Sequence, residues 1–223
     1  VVNSIQKYYT RGVILVISNP VDVLTHLCTD WMGLPNGMVF GSGCLLDTSR
    51  LVSKVAEYIQ LSTEVVKGYI VGEHGDDQIP IWSRFTVGGI SIDEYCKEMN
   101  IPWDDEVKSK IAEEVKTMGA TIISNKGRTH FGIATCVCSL ADAILNQRPT
   151  IASVCSKLNG EYGLKDVVLS LPSIIGVNGV EHILEERFSI TESEQLLKAA
   201  EKLQRFMEKV DGIKREFCDI YVM

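Results

Sequence analysis

A histidine between two glycines is the first candidate for chemistry. His74 follows a short apolar run, in the segment Gly72–Asp76. A loop imidazole can give or take a proton near neutral pH, because its free pKa is near ~6.5. A structural histidine is the plain alternative, and on this segment alone it is the commoner outcome. A metal site with Asp76 and Asp77 is disfavoured, because tandem aspartates point to different sides and no other histidine lies at ligand spacing.

An acid and a base three residues apart form the second candidate. Asp47 and Arg50 fall on one face of a predicted helix. A surface ion pair is the plain interpretation. The neighbouring Leu45, Leu46 and Leu51 favour a largely buried helix instead, where a charged pair needs a purpose.

Two polar residues lie where predicted elements end or begin. Asn19 follows a predicted parallel strand, at the carboxyl end where open α/β sheets bind ligands, although it could simply form the turn before Pro20. Thr129 precedes a predicted helix, so it could be an N-cap, a binding residue or both.

The pair Gly41 and Gly43 resembles a dinucleotide fingerprint, since it follows a strand and precedes a helix. The third glycine of that fingerprint would fall at Leu46, so the pattern fails. Backbone clearance at a domain junction is the interpretation that we adopt for these glycines.

Hydrophobic periodicity predicts the elements that position these residues. Val13–Ile17 is a continuous apolar run, which predicts a parallel strand buried on both faces. The further predicted strands cover Met38–Phe40, Val65–Val71, Ile151–Val154, Val167–Leu171 and Ile174–Val177. The predicted helices cover about 15 residues from Leu45, residues 104–125, residues 130–146 and the chain from Thr191.

Two of these helix predictions carry further detail. The 104–125 helix has an apolar stripe of Val107, Ile111, Val115, Met118 and Ile122. Thr191 and Glu194 form a capping box for the last helix. The seam of that helix is Leu196, Ala200, Leu203, Met207 and Val210.

The order of these elements predicts an α/β fold. A remnant of a doubly wound parallel (Rossmann) sheet comes first, and an α+β catalytic domain with antiparallel hairpins and long helices follows. We expect the boundary between residues 1–43 and residues 44–223. Half of such a sheet cannot cover its own edges, so we expect the chain to begin inside a domain.

Composition narrows the class of protein. A net charge of −7 in 223 residues argues against a nucleic-acid partner. No run of 18 apolar residues is present, so no membrane span is expected, and the N-terminus lacks a signal-peptide pattern. Seven cysteines without a CxxC pair favour reduced thiols in a cytoplasmic protein.

Four motifs taken together resemble the L-lactate and malate dehydrogenase family along essentially the whole chain. They are Val16–Thr25, Gly41–Gly43 with Leu46–Arg50, Gly72–Asp76 and Lys126–Thr129. The resemblance implies an oxidoreductase that transfers hydride between NAD and a small 2-hydroxy or 2-keto acid. It also implies pyruvate fermentation linked to glycolysis and a homo-oligomer, either tetramer or dimer.

The resemblance also implies roles for individual residues. His74 would donate and accept the proton, Asp47 would orient its ring, and Arg50 would hold the substrate carboxylate. Asn19 would contact both the reacting oxygen and the cofactor, and Thr129 would lie beside the substrate side chain. Three further positions would line the cofactor, namely Ile17, Ser42 and Ile133. The resemblance implies no metal.

Several alternatives remain open at this point. Glu73 and Thr129 favour lactate, whereas a malate enzyme or a branched-chain L-2-hydroxyacid dehydrogenase is the alternative, the latter because of Leu45–Thr48. In the family, the glycine-rich NAD loop and the mobile specificity loop precede the part that this chain resembles. A truncated, non-catalytic relative is therefore a further hypothesis.

Overall fold

The computed structural model describes residues 2–220, without the side chains of residue 3 and residues 213–220. Its helices are α1 Val2–Gln6, α2 Val21–Met32, α3 Leu45–Ile59, α4 Ile92–Glu98, α5 Asp105–Lys126, α6 Phe131–Leu145 and α7 Ile190–Ile220. Its strands are β1 Ile14–Val16, β2 Val39–Gly41, β3 Val66–Lys67, β4 Ile70–Gly72, β5 Gln78–Pro80, β6 Thr86–Val87, β7 Ile90–Ser91, β8 Thr150–Asn159, β9 Lys165–Gly176 and β10 Gly179–Ile183.

The strands form two sheets. The larger has seven strands in the order β1-β2-β8-β9-β4-β5, with β10 paired to β9, and the smaller has the order β3-β6-β7. Among the described strands, β1 and β2 pair in parallel and the other pairs are antiparallel. This mixed arrangement confirms the predicted α/β fold, with a short parallel part followed by antiparallel hairpins and long helices.

The expectation that the first strand is buried on both faces is wrong. All three residues of β1 are half-buried, and Ile17 just beyond it is 41% exposed. The reason is position, because β1 pairs only with β2 among the described strands and so forms one edge of the sheet.

The predicted strand Val65–Val71 is also corrected. The chain there forms two short strands, β3 and β4, which belong to different sheets. Gly68 lies between them, where a Cβ atom would overlap the ring of Phe85. This close passage of the backbone over an aromatic side chain separates the two strands.

Two of the strands predicted in the hairpin region form a single strand. The segment Ile174–Val177 does not form a strand of its own, because β9 runs on through Pro172 to Gly176. β8 and β9 pair over almost their whole length, from Thr150 opposite Ile175 to Asn159 opposite Lys165. Their side chains supply the centre of the main core, in which Val154, Leu169 and Leu171 are buried.

The final helix begins at a different capping box from the predicted one. The Ser189 hydroxyl accepts the Glu192 N–H at 3.3 Å, and Glu192 accepts the Ser189 N–H at 2.8 Å, so the box lies two residues before Thr191 and Glu194. The predicted seam is confirmed, since its first four residues are buried and Val210 is half-buried.

Two glycines at the end of β2 permit close packing on β8. A Cβ on Gly41 would overlap the side chains of Cys155 and Thr25, and a Cβ on Gly43 would lie 2.5 Å from the Cys155 nitrogen. Gly43 also has a positive φ of 47°. The predicted backbone clearance is therefore confirmed.

The structure also bears on the expectations of reduced cysteines and of no membrane span. Of the six cysteines whose side chains the structure describes, five are buried and Cys138 is exposed, and all six are free thiols. Within residues 2–220, no helix has both the length and the apolarity that a membrane crossing requires.

Candidate active site

The carboxyl ends of β1 and β2 form the first wall of the site. Because these strands are parallel neighbours, the residues that follow them lie side by side, and Ile17, Asn19 and Ser42 border one cavity. The Ser42 N–H donates to the Val16 carbonyl at 2.9 Å, which fixes this junction. Asn19 also serves its turn, since its Oδ1 accepts the Val21 N–H at 3.3 Å.

The start of α3 supplies the charged pair. Arg50 Nη1 donates to Asp47 Oδ1 at 3.2 Å, and their side chains are only 13% and 6% exposed. The plain interpretation as a surface ion pair is therefore wrong. α3 buries Leu51 and Val55 on the same side, which carries both charges toward the interior.

The loop between β4 and β5 brings His74 to this pair. His74 Nδ1 lies 2.6 Å from Asp47 Oδ2, so the two oxygens of one carboxylate engage His74 and Arg50 separately. The hydrogen bond that Asp47 accepts from the ring raises the pKa of His74, against the opposing effect of burial. Gly72 starts the loop with a φ of 91°, a conformation that L side chains rarely adopt.

The third wall comes from α5 and α6. The predicted apolar stripe of α5 is buried only at Ile111 and Val115. The face of α5 that borders the cavity is a different one, and consists of Lys116, Gly119, Ala120 and Ile123. Sequence periodicity does not identify this face, although a glycine within a 22-residue helix is a signal that could have done so.

Thr129 lies at the start of α6 and borders the cavity together with Ile133. The alternative of Thr129 as an N-cap is wrong, because His130 occupies the N-cap position without a side-chain capping bond.

All eight side chains singled out from the sequence border one cavity of about 460 Å³. They are Ile17, Asn19, Ser42, Asp47, Arg50, His74, Thr129 and Ile133. The volume is within the range of small-molecule sites, about 300–1,000 Å³. The cavity thus combines a buried carboxylate with a half-buried imidazole, a guanidinium and several apolar walls.

The tandem aspartates after His74 face two different helices. Asp76 Oδ1 lies 3.4 Å from Lys116 Nζ of α5, whereas Asp77 pairs with Lys202 of α7. Lys202 lowers the pKa of Asp77. Each carboxylate therefore already has a cation, and the two do not converge on His74 as metal ligands would.

Cys44 completes a compact group with Asp47 and His74, whose potential ligand atoms lie within 4.8 Å of one another. Burial raises the pKa of the Cys44 thiol well above its ordinary value, which keeps the thiol protonated. The metal-binding form of cysteine is the thiolate, so this chemistry does not favour a metal site.

Asp22 is a neighbour of His74 that sequence patterns do not indicate. It is 3% exposed, and its Oδ2 accepts the His74 main-chain N–H at 2.8 Å. Burial raises the pKa of Asp22. In the sequence it lies within the motif Val16–Thr25 and in the first turn of α2, but nothing local connects it with a loop 52 residues away.

The chain matches a known family model over most of its length. Residues 44–213 match the model described as lactate/malate dehydrogenase, alpha/beta C-terminal domain. The L-lactate dehydrogenase of Acetivibrio thermocellus is 38% identical over 211 residues, which cover 95% of this chain and 67% of that protein. L-lactate dehydrogenase 1 of Clostridium acetobutylicum is 36% identical over 210 residues, covering 94% and 67%.

Solved structures give the same result. An L-lactate dehydrogenase from Clostridium thermocellum superimposes with a TM-score of 0.83 at 42% identity, covering 94% of this chain and 68% of that one. A minor L-lactate dehydrogenase from Enterococcus mundtii gives a TM-score of 0.89 at 34% identity, with 94% and 66% covered. The chain thus spans about two thirds of the length of these relatives.

Proposed function

The chain belongs to the lactate/malate dehydrogenase family, and we propose that it carries the acid–base half of an enzyme that interconverts L-lactate and pyruvate with NAD and NADH. The observation that supports this most directly is the Asp47 carboxylate, which engages His74 through one oxygen and Arg50 through the other. A proton donor and a carboxylate-binding cation are thereby held side by side at one cavity.

His74 moves the proton. With Nδ1 held by Asp47, the other ring nitrogen, Nε2, is the one that exchanges a proton with substrate. In reduction, Nε2 gives its proton to the keto oxygen of pyruvate, and in oxidation it takes the hydroxyl proton of lactate. The raised pKa of His74 favours the charged ring that reduction requires.

Arg50 binds the carboxylate of the substrate. Its guanidinium has five N–H donors in a planar fork, and Nη1 uses only part of them on Asp47. The remaining donors can hold a carboxylate through two parallel hydrogen bonds, which fixes the orientation of the keto group relative to His74.

The cavity fits a nicotinamide cofactor next to the acid. Ser42 and Asn19 supply polar groups at the ends of β2 and β1, and Ile17 and Ile133 supply apolar walls. Ile17 is an apolar side chain that is 41% exposed at this border, as expected for a surface that a flat ring covers. When bound, NADH supplies the hydride and NAD accepts it.

The substrate side chain would lie against α5 and α6. Thr129 and Ala120 border the cavity there. A Cβ atom added to Gly119 would have Arg50 Nη1, at 3.8 Å, as its one close neighbour among the described residues, so there is open space beside this glycine. This wall accommodates the methyl group of pyruvate. Malate and branched L-2-hydroxy acids remain the alternative substrates, and a non-catalytic relative is the alternative to an enzyme.

The wider context is proposed from the family. We assign residues 1–43 to the NAD-binding Rossmann domain and residues 44–223 to the catalytic domain, supported by the family match that starts at residue 44. We further propose a cytoplasmic homo-oligomer, either tetramer or dimer, that acts in pyruvate fermentation linked to glycolysis. The proposal includes no nucleic-acid partner and no membrane partner.

NADH oxidation by the complete gene product tests the function. Turnover with pyruvate should exceed that with oxaloacetate and with 2-ketoisocaproate. A preference for either of the latter two would replace lactate by the corresponding alternative. Absence of turnover with all three would support the non-catalytic relative.

His74→Asn tests the role of the histidine. We expect a large loss of turnover with NADH affinity retained, because only the proton donor is removed. His182→Asn is the matched control, since His182 is an exposed histidine on β10. Equal turnover in the two variants would remove His74 from the mechanism.

A further inference from the structure

Asp22 forms a buried link between α2 and the loop that carries His74. Its Oδ2 accepts the His74 N–H at 2.8 Å across 52 residues of chain. Its other oxygen, Oδ1, is buried and has no nitrogen or oxygen partner within residues 2–220. One main-chain hydrogen bond is therefore the principal compensation for burying this carboxyl group.

The ordinary role of Asp22 does not explain its burial. An aspartate in the first turn of a helix interacts favourably with the helix dipole, but a solvent-exposed carboxylate does this equally well. Asp22 is instead 3% exposed beside the Cys155 thiol, in surroundings where a carboxyl is costly. Because burying this carboxyl group costs free energy, we expect its hydrogen bond with the His74 N–H to have a function.

We propose that Asp22 is a positioning residue, which anchors the main chain of His74 so that the imidazole meets Asp47. The inference rests on the proposed function of His74. The residue is then held at two points, by Asp22 at its N–H and by Asp47 at ring Nδ1. Two fixed points on the same residue define the place of Nε2, whereas the Asp47 contact alone fixes only the ring.

Several charged groups surround the loop that carries His74. Those on neighbouring elements are Asp22 of α2, Asp47 and Arg50 of α3, Lys116 of α5 and Lys202 of α7. Those of the loop itself are Glu73, Asp76 and Asp77. Among the described contacts, the hydrogen bond that Asp22 accepts is the one that holds the His74 main chain directly.

Two substitutions separate anchoring from charge. Asp22→Asn keeps an oxygen that can accept the His74 N–H but removes the charge, whereas Asp22→Ala removes both. We expect the Asn variant to keep most of the turnover. The Ala variant should lose roughly ten- to a hundredfold in kcat, the scale of a misplaced catalytic group, with little change in KM for NADH. If Asp22→Ala does not fold, Asp22→Ser takes its place, because the serine side chain is too short to reach the His74 amide. The same loss of kcat is expected for Asp22→Ser, and its absence counts against the proposal in the same way.

Glu192→Ala is the matched control. Glu192 is also a buried acid in the first turn of a helix, and it also accepts a main-chain N–H, that of Ser83 at 3.0 Å. The control should lower stability without a specific loss of kcat. Equal losses in Asp22→Ala and Asp22→Asn, or no loss in a folded Asp22→Ala protein, would overturn the proposal.

An NMR titration gives a readout that does not need turnover. The four histidines are distinguishable, with His74 assigned by its absence from His74→Gln. The pKa of His74 should fall further in Asp22→Ala than in Asp22→Asn, because both variants lose the Asp22 charge but only the Ala variant also loosens the Asp47 hydrogen bond that raises this pKa. Equal pKa values of His74 in the two variants refute the anchoring role even if the enzyme is active. A complete gene product without turnover refutes the proposed function while the titration still reports on Asp22.

Discussion

Asp47→Asn tests the central contact of the site, because its two oxygens have different partners. Arg50 can only donate, so it will take the oxygen of the new amide. The amide nitrogen is then directed at His74 Nδ1, which must become an acceptor. This places the ring proton on Nε2 and opposes protonation of Nδ1, so the neutral form of His74 is favoured and its pKa falls.

The size of the effect follows from the geometry of this bond. The Nδ1–Oδ2 distance is 2.6 Å, with side chains 25% and 6% exposed, so solvent screens the contact little. A hydrogen bond to a charged group is worth about 1.5–3 kcal/mol. At about 1.4 kcal/mol for each factor of ten, kcat/KM for pyruvate should fall roughly ten- to a hundredfold.

The pH profile distinguishes this reasoning from a general loss of structure. Reduction needs protonated His74, so kcat/KM declines as pH rises through the pKa of His74. In Asp47→Asn that decline should occur at lower pH, because the contact that raises the pKa is gone. Oxidation of lactate should also slow, since Nε2 already carries a proton. Asp105→Asn, in the first turn of α5, is the control. An unshifted profile in Asp47→Asn would refute the assigned tautomer and with it the role of Asp47.

Three further predictions concern binding and stability. Arg50→Lys should raise KM for pyruvate about tenfold or more with a smaller change in kcat, because an ammonium cannot form the planar double contact; steady-state kinetics measures both. Glu192→Gln should lower the free energy of unfolding in urea by about 1–3 kcal/mol. Burial acts to raise the pKa of Glu192, but hydrogen bonds from Ser83 and Ser189 outweigh it and lower the pKa. This stabilisation is therefore present near neutral pH and is lost as pH falls through the folded-state pKa. Leu196→Ala should cost about 2–5 kcal/mol, while Leu197→Ala next to it, 44% exposed, should cost much less.

The capping box of α7 shows where local patterns reach their limit. The sequence contains two overlapping capping-box patterns, Ser189 with Glu192 and Thr191 with Glu194. Both satisfy the same local rule, so the choice between them is made elsewhere. Glu192 also accepts the N–H of Ser83, from a segment more than one hundred residues earlier, and this tertiary contact selects the first box.

The same distinction separates the predicted and the missed parts of the site. His74, Asp47 and Arg50 were predictable because motifs and helical spacing are local, and the parallel strands place Asn19 and Ser42 together. Which helices support the loop depends on packing between segments far apart in the sequence, and single-sequence periodicity carries no information about that. Asp22 and the α5 wall were therefore missed.

The position of the loop that carries His74 is consequently determined by contacts with several elements that are remote in the sequence. α2 holds its main chain through Asp22, α5 holds Asp76 through Lys116, and α7 holds Asp77 through Lys202. The two lysine contacts are partly exposed and so contribute little individually, whereas the Asp22 contact is buried. Ionic strength should therefore weaken the tethers to α5 and α7 but leave the anchor to α2, and the position of His74 should follow Asp22 more closely than either lysine.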